Sequence, residues 1–322
     1  MNVLEKGAKF ICEKFTLWII VFSVLAYVEP EPFKPIVPHI SYLLGLIMLG
    51  MGLTLSFDDF KLVFSRPKDV LYGVGFRYLI MPFVGFCVAK VLGLPPALAA
   101  GVVLLGTCPS GTASNVMSFI AKGDTALSVT VSSVNTILAP VLTPYMFLLL
   151  AGTFIPINVT VLFVEIVKIV LLPVATGVVL RMLLRSVVEK VSKVVPAVSV
   201  VLIITILTSV VAVNASRLAT VGSILLLAVF LHNGIGLLFG YGAAHGVRMG
   251  EKKARALTFE IGMENSGLAV ALAMVHLDPM AALPAALCSI WQNISGSLLA
   301  SYWGTKDEPV AEGAPVLAKS EN

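Results

Sequence analysis

Charge is scarce in this sequence: Asp, Glu, Lys and Arg together make up 12% of its 322 residues, about half the share found in soluble domains. A water-soluble chain of this length needs far more polar surface, because even a large domain buries only about three quarters of the area its unfolded chain exposes. The four cysteines show no pair spacing. Cys87, Cys108 and Cys288 lie in apolar runs and Cys12 lies near the N-terminus, which argues against a disulfide framework and a Cys/His metal cage. Only four histidines occur. No His-Glu-x-x-His pattern is present and no Ser-His-Asp set falls at matching depth, so an intramembrane hydrolase lacks its parts. The net charge of +4 comes from short Lys/Arg clusters without interleaved aromatics, which excludes a nucleic-acid stripe. No small-residue cleavage site follows the first apolar run, so the basic N-terminus (Lys6, Lys9, Lys14) reads as an interfacial turn before a retained span rather than a signal peptide.

Apolar residues are present in excess. Hydrophobic residues make up 58% of the chain and the mean hydropathy is +0.97, a balance that requires lipid as solvent. A hydrocarbon core of about 30 Å takes roughly 20 helical residues per crossing. The apolar runs predict an all-α membrane protein of ten spans, near residues 15–29, 38–56, 69–91, 96–121, 125–151, 158–182, 196–213, 218–245, 253–276 and 281–304, followed by a polar, disordered cytoplasmic tail over 305–322. The Lys and Arg residues outside the spans, all but Lys34, Lys90 and Arg217, fall on the side of both termini. The positive-inside rule makes that side cytoplasmic, as expected of a multi-pass protein of the bacterial inner membrane.

Spans four and nine are interrupted, by Cys108-Pro-Ser-Gly-Thr-Ala-Ser-Asn115 and Glu260-Ile-Gly-Met-Glu-Asn-Ser-Gly267. Their corresponding positions in two five-span halves predict an inverted repeat. Broken backbone at membrane depth is tolerated where it lines a cavity or is buried in protein. Half-helix N-termini favour anions, and loose carbonyls favour cations. Glu260 and Glu264 are expensive intramembrane acids and so mark function. Glu260 lies eight residues past Lys252, about 12 Å into its span, at the depth expected for Arg77. Sodium, a hard cation, takes oxygen ligands, which Ser114, Asn115, Ser128, Ser132 and Glu260 can supply. Glu165 and Lys168, at i,i+3, read as a structural pair. His232 and Asn233 read as a buried hydrogen-bonded group.

The stretches Gly111-Thr-Ala-Ser-Asn-Val-Met117, Glu260-Ile-Gly-Met-Glu-Asn-Ser-Gly267 and Trp291-Gln-Asn-Ile-Ser-Gly-Ser297 resemble the bacterial branch of the bile acid:sodium symporter family, and the resemblance runs from about residue 10 to 304. It implies a single transporter unit with a panel domain (about 15–60 and 158–213) and a core domain (about 69–151 and 218–304) in which spans four and nine cross. It implies a first sodium site at Ser114, Asn115, Ser128, Ser132 and Glu260, and substrate contacts at Thr112, Asn265, Ser289 and Asn293. Where relatives hold a second sodium with glutamines, Glu260 and the carbonyls of Ile261 and Met263, this chain has Arg77 and Glu264. Gln292 replaces a histidine near the substrate and is expected to be a further substrate contact. The expectation is an Arg77–Glu264 salt bridge in the second site and one coupled Na+. An inert bridge, and Arg77 forking onto a substrate carboxylate, are the alternatives. The function implied is sodium symport of an organic anion such as a bile acid, pantoate or another small carboxylate, by alternating access and with no obligate protein partner. A proton-coupled or uncoupled carrier is the rival reading.

Overall fold

The computed structural model describes residues 7, 8, 10–12, 14–55, 63–192 and 194–306. The polar tail beyond Lys306, the Lys61 loop, Lys6 and Lys9 lie outside the described residues. Among the described residues the α-helices are, in chain order, α1 Phe15–Val28, α2 Ile40–Thr54, α3 Pro67–Val91, α4 Pro96–Thr107, α5 Thr112–Ile120, α6 Thr125–Ala151, α7 Val159–Ile166, α8 Leu172–Leu183, α9 Arg185–Val191, α10 Val195–Val213, α11 Ala215–Gly246, α12 Glu251–Gly262, α13 Ser266–His276 and α14 Leu283–Thr305. A 3-10 segment, Glu31–His39, leads into α2, and a π-helical turn, Val167–Leu171, joins α7 to α8. Among the described residues there is no strand, only an isolated antiparallel bridge between Ser110 and Glu264.

The boundaries follow from local chemistry. Proline opens α3 and α4 at N1, where its missing N–H has no partner to lose. Asp124 caps α6 by accepting from Leu127 N–H at 3.1 Å and also pairs with Arg66 at 2.8 Å. The α3 helix ends where Gly93 takes φ +58, the left-handed turn that lets Leu94 N–H reach back to Ala89 at 3.0 Å. Among the described residues six helical stretches are long and apolar enough to cross a membrane: Glu31–Thr54, α3, α6, Val159–Leu183, α10 and α11. The apolar helices α1, α4 and α13 are shorter. Leu71, Leu149, Leu183, Leu238 and Leu298 point outward and exposed, as a lipid-facing belt requires.

The helices pack in two groups. In one, α2 lies against α8, and α10 lies against α1 and α2. A Cβ built on Gly52 would fall 2.2 Å from the Val174 carbonyl, and one on Gly177 would fall 2.4 Å from that of Leu49. Only glycine lets these two backbones touch, the small-residue route to close helix association in lipid. In the other group α3 contacts α4, α6 and α11, α12 lies along α11, and α14 contacts α13, α4, α5 and α11. The groups meet where α13 reaches α2 and α10, where α14 reaches α1 and α10, and where α6 reaches α7.

One expected pair does not form. Glu165 accepts from Ser41 Oγ at 3.5 Å, and no ion pair joins it to Lys168. The π-helical turn begins at Val167, so the i,i+3 geometry of a regular helix does not apply across it.

Candidate functional site

The breaks in spans four and nine meet in the second helix group. The α4 helix stops at Thr107 and α5 starts at Thr112; α12 stops at Gly262 and α13 starts at Ser266. The two linkers run antiparallel. Gly111 N–H donates to Met263 C=O at 3.1 Å, and Asn265 N–H donates to Pro109 C=O at 2.8 Å. Each break thus satisfies backbone groups the other leaves open, which at membrane depth would otherwise cost several kcal/mol apiece. A Cβ on Gly111 would lie 2.8 Å from the Glu264 carbonyl oxygen, so the crossing requires glycine there. Two helix N-termini and two C-termini converge on this point, a concentration of partial charges of both signs.

Glu260, fully buried near the end of α12, faces α5 and α6. Its Oε1 accepts from Ser114 Oγ at 2.5 Å and from Ser128 Oγ at 2.6 Å. Ser128 also lies 2.8 Å from Asn115 Oδ1, and Asn115 Nδ2 lies 3.3 Å from Ser132 Oγ. The five oxygen-bearing side chains expected to act together therefore form one connected cluster. Glu260 Oε2 has no hydrogen-bond partner and no exposure. A carboxylate oxygen left bare inside a protein is unfavourable unless a cation or proton meets it. The hydroxyl, amide and carboxylate oxygens of this cluster are the donor set a hard cation takes.

The opposite flank corrects the expected Arg77–Glu264 salt bridge, which is absent. The Arg77 guanidinium, fully buried, donates to the carbonyls of Gly106 (3.1 Å) and Cys108 at the C-terminal end of α4. Glu264 Oε1 instead lies 2.9 Å from His232 Nε2, contributed by α11. Gln292 is 4% exposed. Its Oε1 accepts from Glu264 N–H at 3.1 Å and its Nε2 donates to Glu264 C=O at 3.0 Å, so both ends of the amide brace the linker. Asn233 Nδ2 donates to Gly262 C=O at 2.8 Å, closing the end of α12.

Comparison with known proteins gives this crossing its context. Residues 41–221 match the Sodium Bile acid symporter family. The chain is 44% identical over 306 residues to the "Uncharacterized sodium-dependent transporter YocS" of Bacillus subtilis (strain 168), covering 95% of each chain. It is 36% identical to the "Probable sodium/metabolite cotransporter BASS1, chloroplastic" of Arabidopsis thaliana, over 90% of this chain and 73% of that protein. A rice (Oryza sativa subsp. japonica) protein with the BASS2 version of that title is 33% identical over 96% of this chain and 74% of its own length. This chain belongs to the sodium bile acid symporter family. It is a membrane protein and a sodium-dependent transporter, not an enzyme.

Within this symporter-family chain the other expected contact residues spread around the crossing. Thr112 is exposed at the first turn of α5. Asn265 caps α13 by accepting from Leu268 N–H at 3.1 Å, and its Nδ2 approaches Met48 Sδ of α2 at 3.7 Å. Asn293 Nδ2 donates to Ser289 C=O at 2.6 Å one turn earlier on α14. Ile261 is buried in α12, and the Met263 carbonyl is engaged by Gly111. Sequence reasoning missed Ser118, Asn135 and Tyr78. Ser118 donates to Ser128 Oγ at 3.0 Å, and its i+4 spacing from Ser114 was the available signal. Ser110 receives Asn135 Nδ2 at 3.3 Å, and nothing in the spacing pointed to Asn135. Tyr78 Oη holds the Asn135 carbonyl at 3.0 Å.

Proposed function

We propose that this chain carries an organic anion, of the class of bile acids, pantoate or other small carboxylates, together with sodium across the bacterial inner membrane by alternating access. Ten crossings, arranged as two inverted five-helix repeats with both termini cytoplasmic, provide the frame. Sodium is held by Ser114, Asn115, Ser128, Ser132 and Glu260. The anion meets Thr112, Asn265, Ser289 and Asn293 near the N-termini of α5 and α13, where helix dipoles favour negative charge. The observation that carries the reading is Glu260, with one oxygen held by two serine hydroxyls and the other buried and bare.

The packing supports a rocking motion. The helices α1, α2, α7, α8, α9 and α10 form a panel, and the rest form a core that carries the crossing. In the stated orientation α5 and α12 are the cytoplasmic halves of their spans, while α4 and α13 are the outer halves. The panel packs on α13 through α2 and α10, with Asn265 against Met48, whereas α5 packs on α6, α12 and α14 and leaves Thr112, Val116 and Phe119 exposed. On this reading the panel rests against the outer halves of the crossing, the contact that rocking would break.

A proton-coupled carrier is the second reading, favoured by the buried His232–Glu264 pair. Uptake of radiolabelled pantoate and taurocholate into proteoliposomes, with an inward gradient of sodium or of choline at fixed pH, separates the two. Sodium symport requires uptake of at least one of them to collapse in choline. Undiminished uptake in choline would mark the carrier as sodium-independent.

A further inference from the structure

We propose that Glu165 of the panel and His276 of the core form a proton-operated latch across the outer end of the seam between the two helix groups. A protonated imidazole paired with the carboxylate holds that side shut, and a neutral imidazole lets it part. The inference rests on the rocking reading and adds a regulator to it. The α13 helix runs outward from the crossing and ends at His276, where it meets α7 of the panel. At that meeting lies a cavity of about 160 Å³, lined by Pro156, Ile157, Asn158, Leu162, His276 and Leu277, with room for several waters.

His276 is half-buried, and its Nε2 is enclosed without a hydrogen-bond partner. On α7, Glu165 follows Leu162 by about one helical turn, so the face that lines the cavity continues inward to the carboxylate. Glu165 is an acid inside the apolar span Val159–Leu183, a placement that marks function. The hydrogen bond it accepts from Ser41 Oγ is long, at 3.5 Å, and the carboxylate lies within electrostatic reach of the imidazole.

The surroundings leave this pair to itself. The α13 helix packs against α2, α4, α7, α10, α14 and the short turn Pro279–Ala282, and Glu165 is the one charged side chain those elements carry. Tyr42, Cys288 and Tyr302 are their other titratable groups. Just beyond them, Asp278 pairs with Arg217 at 2.9 Å and accepts from Met280 N–H at 2.8 Å, while His39 and Lys168 are exposed. An imidazole changes charge near pH 6.5, within the physiological range. Below that range the pair is ionic, and in an apolar seam its attraction is several times what it is in water, so the shut outer side is favoured. Above that range the advantage is lost.

The test places nitroxide labels on Tyr42→Cys of α2 and Val91→Cys of α3, both exposed at the outer ends of panel and core. The label-accessible Cys12 and Cys87 are replaced by alanine, while Cys108 and Cys288 are buried. Pulsed electron–electron resonance on the full chain in lipid nanodiscs then reads the distance between labels at about pH 5.5 and about pH 8, either side of the imidazole range. The expected result is a ratio of short to long distances about tenfold higher at the lower pH, the change that one unit of differential proton affinity supplies. With Glu165→Gln or His276→Asn added, the ratio should no longer follow pH. The same ratio at both pH values in the chain that keeps Glu165 and His276 would overturn the latch whether or not those variants fold. So would either variant keeping the full pH response. Such failures leave rocking standing, whereas one fixed distance that neither pH nor sodium moves removes the rocking reading and the latch with it.

Discussion

Replacing Glu260 by glutamine should move stability in opposite directions according to whether sodium is present. Glutamine is isosteric and keeps an oxygen for the hydroxyls of Ser114 and Ser128, which now approach Glu260 Oε1 at 2.5 and 2.6 Å. It removes the charge associated with the bare Oε2. Without sodium the wild-type chain holds an under-compensated buried carboxylate, a group that costs several kcal/mol to desolvate, so Glu260→Gln should melt at a higher temperature in choline buffer. With sodium the order reverses. Loss of one member of a buried ion pair costs about 3–5 kcal/mol, which at about 1.4 kcal/mol per decade lowers sodium affinity on the order of a hundred- to a thousandfold. At sodium about 100 times its Kd the wild type gains about 2.7 kcal/mol from binding, and the variant gains almost none. Thermal melts of both proteins along a sodium series, at constant ionic strength, read both signs. A variant that keeps the wild-type sodium shift, or that is less stable in choline, would refute the reasoning.

Other substitutions probe the frame. Gly111→Ala places a methyl group 2.8 Å from the Glu264 carbonyl oxygen and 3.2 Å from its carbon, and the backbone must give way. A loss of about 1–3 kcal/mol is expected, read as a lower thermal midpoint with weakened sodium binding. Gln292→Leu strips the Glu264 N–H of its acceptor and should destabilise by about 1–3 kcal/mol. Because the amide braces the linker, transport should fall through protein stability, with the KM of surviving protein little changed. Cysteines in place of Leu44 of α2 and Gly267 of α13, where a Cβ on Gly267 would lie 3.4 Å from Leu44 Cδ1, should react with a short cleavable cross-linker. Uptake should then stop until the link is cut, whereas continued uptake by cross-linked protein would contradict rocking of one helix group on the other.

Much of the fold was legible because lipid makes simple demands on a sequence. Long apolar runs, proline at Pro67 and Pro96, and the polar Cys108–Asn115 and Glu260–Gly267 interruptions mark helix starts and breaks almost residue by residue. The Ser114–Asn115–Ser128–Ser132–Glu260 cluster was readable from the polar break in span four, the one-turn spacing of Ser128 and Ser132, and the family resemblance that sets them beside Glu260. Pairings were harder. Formal charge suggested that Arg77 and Glu264 meet, yet the guanidinium donates to carbonyls at the end of α4 and the carboxylate meets His232, with Arg77 Nε and Glu264 Oε2 left buried and unpartnered. Depth can be counted along a helix, but rotation and the choice between a side-chain and a backbone partner cannot. Gln292 shows the same gap: read as a substrate contact, it grips the backbone of Glu264 with both amide atoms. Lys168 escaped its expected partner because regular spacing fails across the π-helical turn.

The most direct measurement is a difference density map between crystals of this protein grown in sodium and in choline. The account predicts an ion-sized peak against Glu260, beside the side-chain oxygens of α5 and α6. No difference at Glu260, or a peak lodged between Arg77 and Glu264 instead, would contradict it.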